Sequence, residues 1–184
     1  MWYHFLMVER KRVEERLADY ENIRATALKL YNTFPDIASH ALGKQISFTS
    51  EGFNHLVYSS PRKERDKKSQ ILRFDMLKKA KFILETSTTY QEYDEEIISK
   101  RVNRRGKWIS KNVSSKSWGF VAIVQNFRVK VVVTQEGNGS IKFLSVAPAW
   151  FAKQYRDMKI IKMSTGGGLK VLDDDEVLKN ATIM

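Results

Sequence analysis

The stretch FRVKVVVTQEGNGSIKFLSVAP, residues 127–148, settles the fold class. In its first half Phe127, Val129, Val131 and Val133 alternate with Arg128, Lys130, Val132 and Thr134, the period-2 signature of a strand with one buried face. Ile141 to Val146 reads as a second strand, which Pro148 closes. Between them, Glu136-Gly-Asn-Gly-Ser140 carries the glycines that a tight hairpin turn requires.

Going back along the chain, Trp118–Val124 reads as an apolar strand. Tyr90–Arg101 alternates but is so charged that it suits the edge of a sheet. Before residue 86 the period lengthens to 3.6. Val13, Leu17, Tyr20 and Arg24 mark a helix running from Trp2 to about Tyr31, which Pro35 ends. A short helix is expected before Gly43, then an extended piece at 45–48 and a helix, capped by Thr49 or Ser50, that carries His55. Ser60-Pro61 signals the start of a long helix to about Glu85. Helices followed by a four-stranded antiparallel β-meander make the class α+β, with a C-terminal helical or irregular tail. The boundaries read as an N-terminal helical arm at 1–43, an α+β domain at 44–150 and a C-terminal extension at 151–184. Within that extension Gly166–Gly168 reads as a hinge, and Asp173–Glu176 as an acidic tail.

The 184 residues carry a net charge of +11, and 42% hydrophobic content suffices for a core. No run approaches the roughly 18 apolar residues of a membrane span, and the opening WYHFLMV lacks the marks of a signal peptide. A cytoplasmic protein without membrane association is expected. The absence of cysteine excludes disulfides, thiolate zinc sites and Cys nucleophiles. His4, His40 and His55 share no metal-ligand spacing, and Glu92, Asp94 and Glu96 are the only carboxylates set on one strand face. No P-loop and no GxSxG elbow is present, so neither metal nor cofactor is expected.

The positive charge is concentrated. Residues 61–81 hold nine basic and three acidic side chains, and residues 100–116 hold seven basic and no acidic ones. Such density favours a polyanion, because each neutralised phosphate releases condensed counterions. The second run, with Gly106, Ser and Asn among its charges, suggests a flexible loop. Its Lys100, Arg101, Arg104, Arg105, Lys107 and Lys111 suit a phosphate backbone, and Trp108 suits stacking on an unpaired base.

Metal-free cleavage of RNA asks little of a protein: a base, an acid and positive charge at the phosphate, because the ribose 2′-hydroxyl is the nucleophile. His55 is the candidate proton carrier. If its helix packs on the strand face of Arg128, Lys130 and Thr134, with Ser145 on the next strand, one imidazole, two cations and two hydroxyls converge.

The segments ISFTSEGFNHLVYS (46–59), RFDMLKKAKFIL (73–84), VKVVVTQ (129–135) and IKFLSVAP (141–148) together resemble the barnase/EndoU/colicin/RelE-like nuclease superfamily, closest to its phage- and mobile-element-borne branch. The resemblance spans about residues 44–150. It implies helices ahead of a four-stranded antiparallel sheet and a metal-independent ribonuclease, often a toxin held by an antitoxin or immunity protein. By position His55 would move the protons, Arg128 or Lys130 would supply the basic residue, and Ser145, with Thr134, the hydroxyl. The alternative is a catalytically silent RNA-binding protein using the same basic surface, and a third expectation is dimerisation through the N-terminal helix.

Overall fold

The computed structural model describes residues 13–60, 62–104, 106–124, 127–149, 160–163 and 169–172. A helical segment at 13–18 leads into α1 (Tyr20–Asn32), followed by β1 (Ile37–Ser39), β2 (Lys44–Ser47) and α2 (Ser50–Val57). A small ribbon of β3 (Tyr58–Ser60) and β4 (Lys63–Glu64) precedes α3 (Lys67–Asp75) and α4 (Leu77–Thr86). Four long strands come next: β5 (Glu92–Arg104), β6 (Lys107–Val124), β7 (Phe127–Glu136) and β8 (Ile141–Pro148). Two short strands, β9 (Ile160–Met163) and β10 (Leu169–Leu172), pair antiparallel with each other.

The sheet order is β1-β2-β8-β7-β6-β5. This order corrects the expectation of a four-stranded antiparallel meander. β5 to β8 do form antiparallel neighbours, but β2 adds to β8 in parallel, with Ile46 opposite Ile141, and β1 pairs on β2. The sheet is mixed and six-stranded, with two separate two-stranded ribbons besides. The class remains α+β. The tail, expected to be helical or irregular, is extended where it is described, at β9 and β10; Gly166–Gly168 and Asp173–Glu176 lie outside the described residues.

Three further elements differ from the sequence reading. The short helix expected before Gly43 is the β1–β2 hairpin, with Gly43 in its turn at φ +60°. The long helix begins at the Asp66 cap rather than at Ser60, and it breaks at Met76 into α3 and α4. The run at 100–116 is no flexible loop but the two strands of a hairpin.

One hydrophobic core joins the helices to a single face of the sheet. Alternation sends Val129, Val131 and Val133 inward, each fully buried, beside Phe120, Phe143 and Ile46. Leu56, Leu77, Ile83 and Leu84 meet them from the helices. Tyr31 sits in an aromatic cluster, with Phe34, Phe48, Phe53 and Phe143 at centroid distances of 5.5–6.2 Å. Tyr20, Ala27, Tyr31 and Ile37 are all buried in this core, so residues from the 1–43 segment help to build it.

Candidate nucleic-acid interface

The β5–β6 hairpin outgrows the sheet. β7 pairs with β6 only from Ser115 to Val124, whereas β5 follows β6 out to the pair Arg104–Lys107. Residues 97–104 and 107–114 thus form a two-stranded arm beyond the edge of β7, about 27 Å long at roughly 3.4 Å per residue. Register and alternation put Lys100, Lys107, Ile109 and Lys111 on one face, and Arg101, Asn103, Trp108 and Ser110 on the other. Trp108, near the tip, is 63% exposed. On the same side at the arm's base, Tyr90, Tyr93 and Trp118 form a ladder of ring contacts at 6.5 and 5.7 Å. Arg105 lies outside the described residues.

The arm is electrostatically self-opposed. Lys100 stands directly opposite Lys111, and Arg104 opposite Lys107. Like charges in directly opposed positions destabilise a strand pair. Glu136, at the end of β7, forms an ion pair with Lys100 and offsets part of this at the base.

His55 is on α2, as its sequence context suggests. It lines an open groove of about 450 Å³ with Ser50, Glu51, Asn54, Tyr58 and Ser60. The residues expected to converge on it are elsewhere. α2 packs by Gly52, Phe53 and Leu56 on the apolar side of the sheet, where Gly52 meets Phe143. Arg128, Lys130 and Thr134 alternate onto the opposite side of β7, away from the face that α2 covers. Arg128 is 3% exposed. Lys130 is bound by Glu92 at 2.6 Å, whose carboxylate crosses β6 above Gly119, where a β-carbon would lie 2.8 Å from it. Thr134 donates to the Lys116 carbonyl, and it lines a cavity of about 190 Å³ with Glu51, Glu136 and Lys142. Glu51 also pairs with Lys142 at 3.5 Å.

Ser145 follows a bulge in β8, where the pairing steps from Val132–Ser145 to Val133–Phe143. Its hydroxyl accepts from the Arg73 guanidinium at 2.9 Å, and the same nitrogen donates to the Val146 carbonyl at 2.7 Å. Burial pushes the Arg73 pKa down to about 10, and the nearby Arg65 charge acts in the same direction. Arg65 in turn donates to the His55 carbonyl at 3.2 Å. Ser145 is thus held by a buried cation that the sequence did not single out. The two residues lie 72 positions apart, and no local pattern links them. Glu51 was more accessible to reading, since it precedes His55 by one helical turn.

No family model matches the chain, and neither a curated protein nor a solved structure is similar to it. Among the described residues, no group of three His, Asp or Glu side chains is placed to hold a metal ion, and no helix is long and apolar enough to cross a membrane.

Proposed function

We propose that this chain binds RNA through the β5–β6 arm, with Lys107 and Lys111 against phosphates and Trp108 stacked on an unpaired base. The observation that carries the reading is the register of the arm. Lys opposite Lys and Arg opposite Lys, on a ribbon beyond the sheet, leave positive charge that its own cross-strand neighbours do not offset. A phosphate backbone supplies the missing anions, and release of its counterions drives association. An exposed Trp beside cations adds base stacking, worth about 1–3 kcal/mol per base. The test is fluorescence anisotropy with a labelled single-stranded RNA. Lys107→Glu with Lys111→Glu should weaken binding by more than tenfold and flatten its salt dependence, and Trp108→Ala should weaken it at every salt concentration. Equal affinity in all three proteins rejects the arm as the interface.

A second reading, metal-independent RNA cleavage, rests on the groove in which His55 lies beside Glu51 and Tyr58. These three groups can exchange protons, and the groove is open to a substrate. On this reading the protein is a ribonuclease of the toxin type, with an antitoxin or immunity protein as its partner. It predicts cleavage of RNA in excess EDTA by the wild type and none by His55→Ala, with arm-mediated binding retained in both. Equal cleavage by the variant removes His55 from the mechanism.

A further inference from the structure

β5 is the last strand of the sheet, and its outer edge pairs with no other strand among the described residues. Its sequence, EYDEEIISKRVNR, is segregated by charge. Glu92, Asp94, Glu95 and Glu96 occupy one end, Lys100, Arg101 and Arg104 the other, and Ile97 and Ile98 the middle. Charged residues on an edge strand usually prevent pairing with another copy, because self-pairing sets like against like. Here the order of the charges reverses that outcome.

We propose that β5 pairs antiparallel with β5 of a second copy of this chain, about a two-fold axis through Ile98. In this register Glu92 stands opposite the partner's Arg104, Glu95 opposite Arg101 and Glu96 opposite Lys100, and the two-fold repeats all three. Sliding by two residues in either direction, the smallest step that keeps both the axis and the facing of the side chains, leaves one unlike pair per half. Opposite charges directly across a strand pair stabilise it, and like charges do the reverse, so the register is specified as well as favoured.

The surroundings agree. Ile97, in the uncharged middle, is 69% exposed in the single chain and is covered by the pairing. Asp94, Glu95, Glu96 and Arg101 are exposed. Hydrogen bonds from Ser114 and Tyr93 hold the Glu95 carboxyl below the usual range, which keeps it ionised opposite Arg101. The pairing lays the basic arm of each copy along the acidic half of the other. That supplies an anion to Arg101 and a second one to Lys100, which already pairs with Glu136, and leaves Lys107, Trp108 and Lys111 on β6, one strand removed from the joint. The result is one continuous sheet of twelve strands, six from each copy.

The experiment is light-scattering mass measurement on the RNA-free full chain, at low and high salt. The wild type is expected at twice the 21.4 kDa chain mass, falling toward the chain mass as salt rises. Glu95→Arg alone and Arg101→Glu alone should each be monomeric, while the double reversal, which restores unlike pairs across the axis, should be dimeric again. Because the chain has no cysteine, Ile98→Cys gives an independent readout. Two copies of residue 98 across the axis lie at disulfide distance and should crosslink on oxidation, whereas Asp94→Cys, which faces the partner's residue 102, should not. A monomeric wild type, a dimer unchanged by either single reversal, a double reversal that stays monomeric while folded, or crosslinking at 94 rather than 98 would each overturn the pairing. A dimer built on the N-terminal helix would show the second of these outcomes.

Discussion

At Gly52, in the first turn of α2, a β-carbon would lie 2.5 Å from the Phe143 carbonyl oxygen and 2.8 Å from the Phe143 ring, with the Tyr31 hydroxyl also against it. Two of these neighbours cannot give way cheaply. The carbonyl belongs to the backbone of β8, and the Tyr31 hydroxyl donates to the Thr49 carbonyl at 2.8 Å in a tightly packed aromatic cluster. Gly52→Ala must therefore lift α2 from the sheet. Overpacking of this kind destabilises by about 1–3 kcal/mol, and we expect the upper half of that range because a backbone atom is involved. Urea denaturation measures it, and a variant within about 0.5 kcal/mol of wild type, the size of an ordinary surface substitution, would show that the helix shifts freely. The same close approach explains why the groove at His55 sits where it does: a helix seated this low presents residues 51, 54 and 55 along its open side, with Tyr58 just past its end. The sequence placed His55 correctly on a short helix. It did not reveal which side of the sheet that helix covers, because that depends on Gly52 meeting Phe143, 91 residues away.

Among the elements, α3 shows how one local interaction fixes a boundary. Asp66 accepts from the Ser69 amide at 2.9 Å and from the Ser69 hydroxyl at 2.6 Å, closing the first turn. Those bonds hold its carboxyl below the ordinary value of 3.8. A group whose pKa is lowered by folding stabilises the protein above its unfolded pKa, and the contribution disappears as pH falls through the folded value. Asp66→Ala should thus lose about 1 kcal/mol at pH 7, the usual value of an N-cap, since Asp66 is largely exposed and screened. The gap to wild type should close below about pH 4; a gap that persists in acid would mean the carboxylate is not what stabilises the cap. The Ser60-Pro61 signal places the helix start upstream of the Asp66 cap at which the helix begins. β7 and β8 were readable because strict alternation and the Gly137 turn, at φ +54°, are local. β1 was not: Ala38, Ala41 and Leu42 tolerate a helix, and only the pairing of Ile37 with Ile46, itself opposite Ile141, makes the segment extended. The run at 100–116 reads as a loop because its Ser, Asn and Lys carry no apolar alternation, and the strands of the arm are held by pairing with each other rather than by a core.

Across the whole molecule, the parallel β2–β8 pairing and the burial of α1 join the two ends of the described core. β2 is added to β8 only after the chain has passed through three helices and three long strands. Residues before 41 supply Tyr20, Ala27, Tyr31 and Ile37 to the core, and each of the three larger side chains contributes about 1.5–3 kcal/mol when fully buried. Tyr20 also donates its hydroxyl to Gln70, a fully buried amide that further bonds Glu64 and the Arg65 carbonyl. Without Tyr20 that side chain oxygen is left in an apolar setting, at a cost of about 1–3 kcal/mol. The two-point ion pair of Arg16 with Asp75, at 2.8 and 2.9 Å, is partly buried and is lost with the segment as well. Deleting the segment therefore strips one wall from a core that the rest of the chain shares, in a domain whose total stability is only about 5–15 kcal/mol. Deleting residues 1–40 should therefore abolish cooperative unfolding, not merely change the mass of the particle. Circular dichroism through a urea titration distinguishes the cases: a sigmoidal transition in the truncated chain would show that β2 to β8 fold without the first forty residues, and a broad, featureless decline is the outcome that the shared core requires.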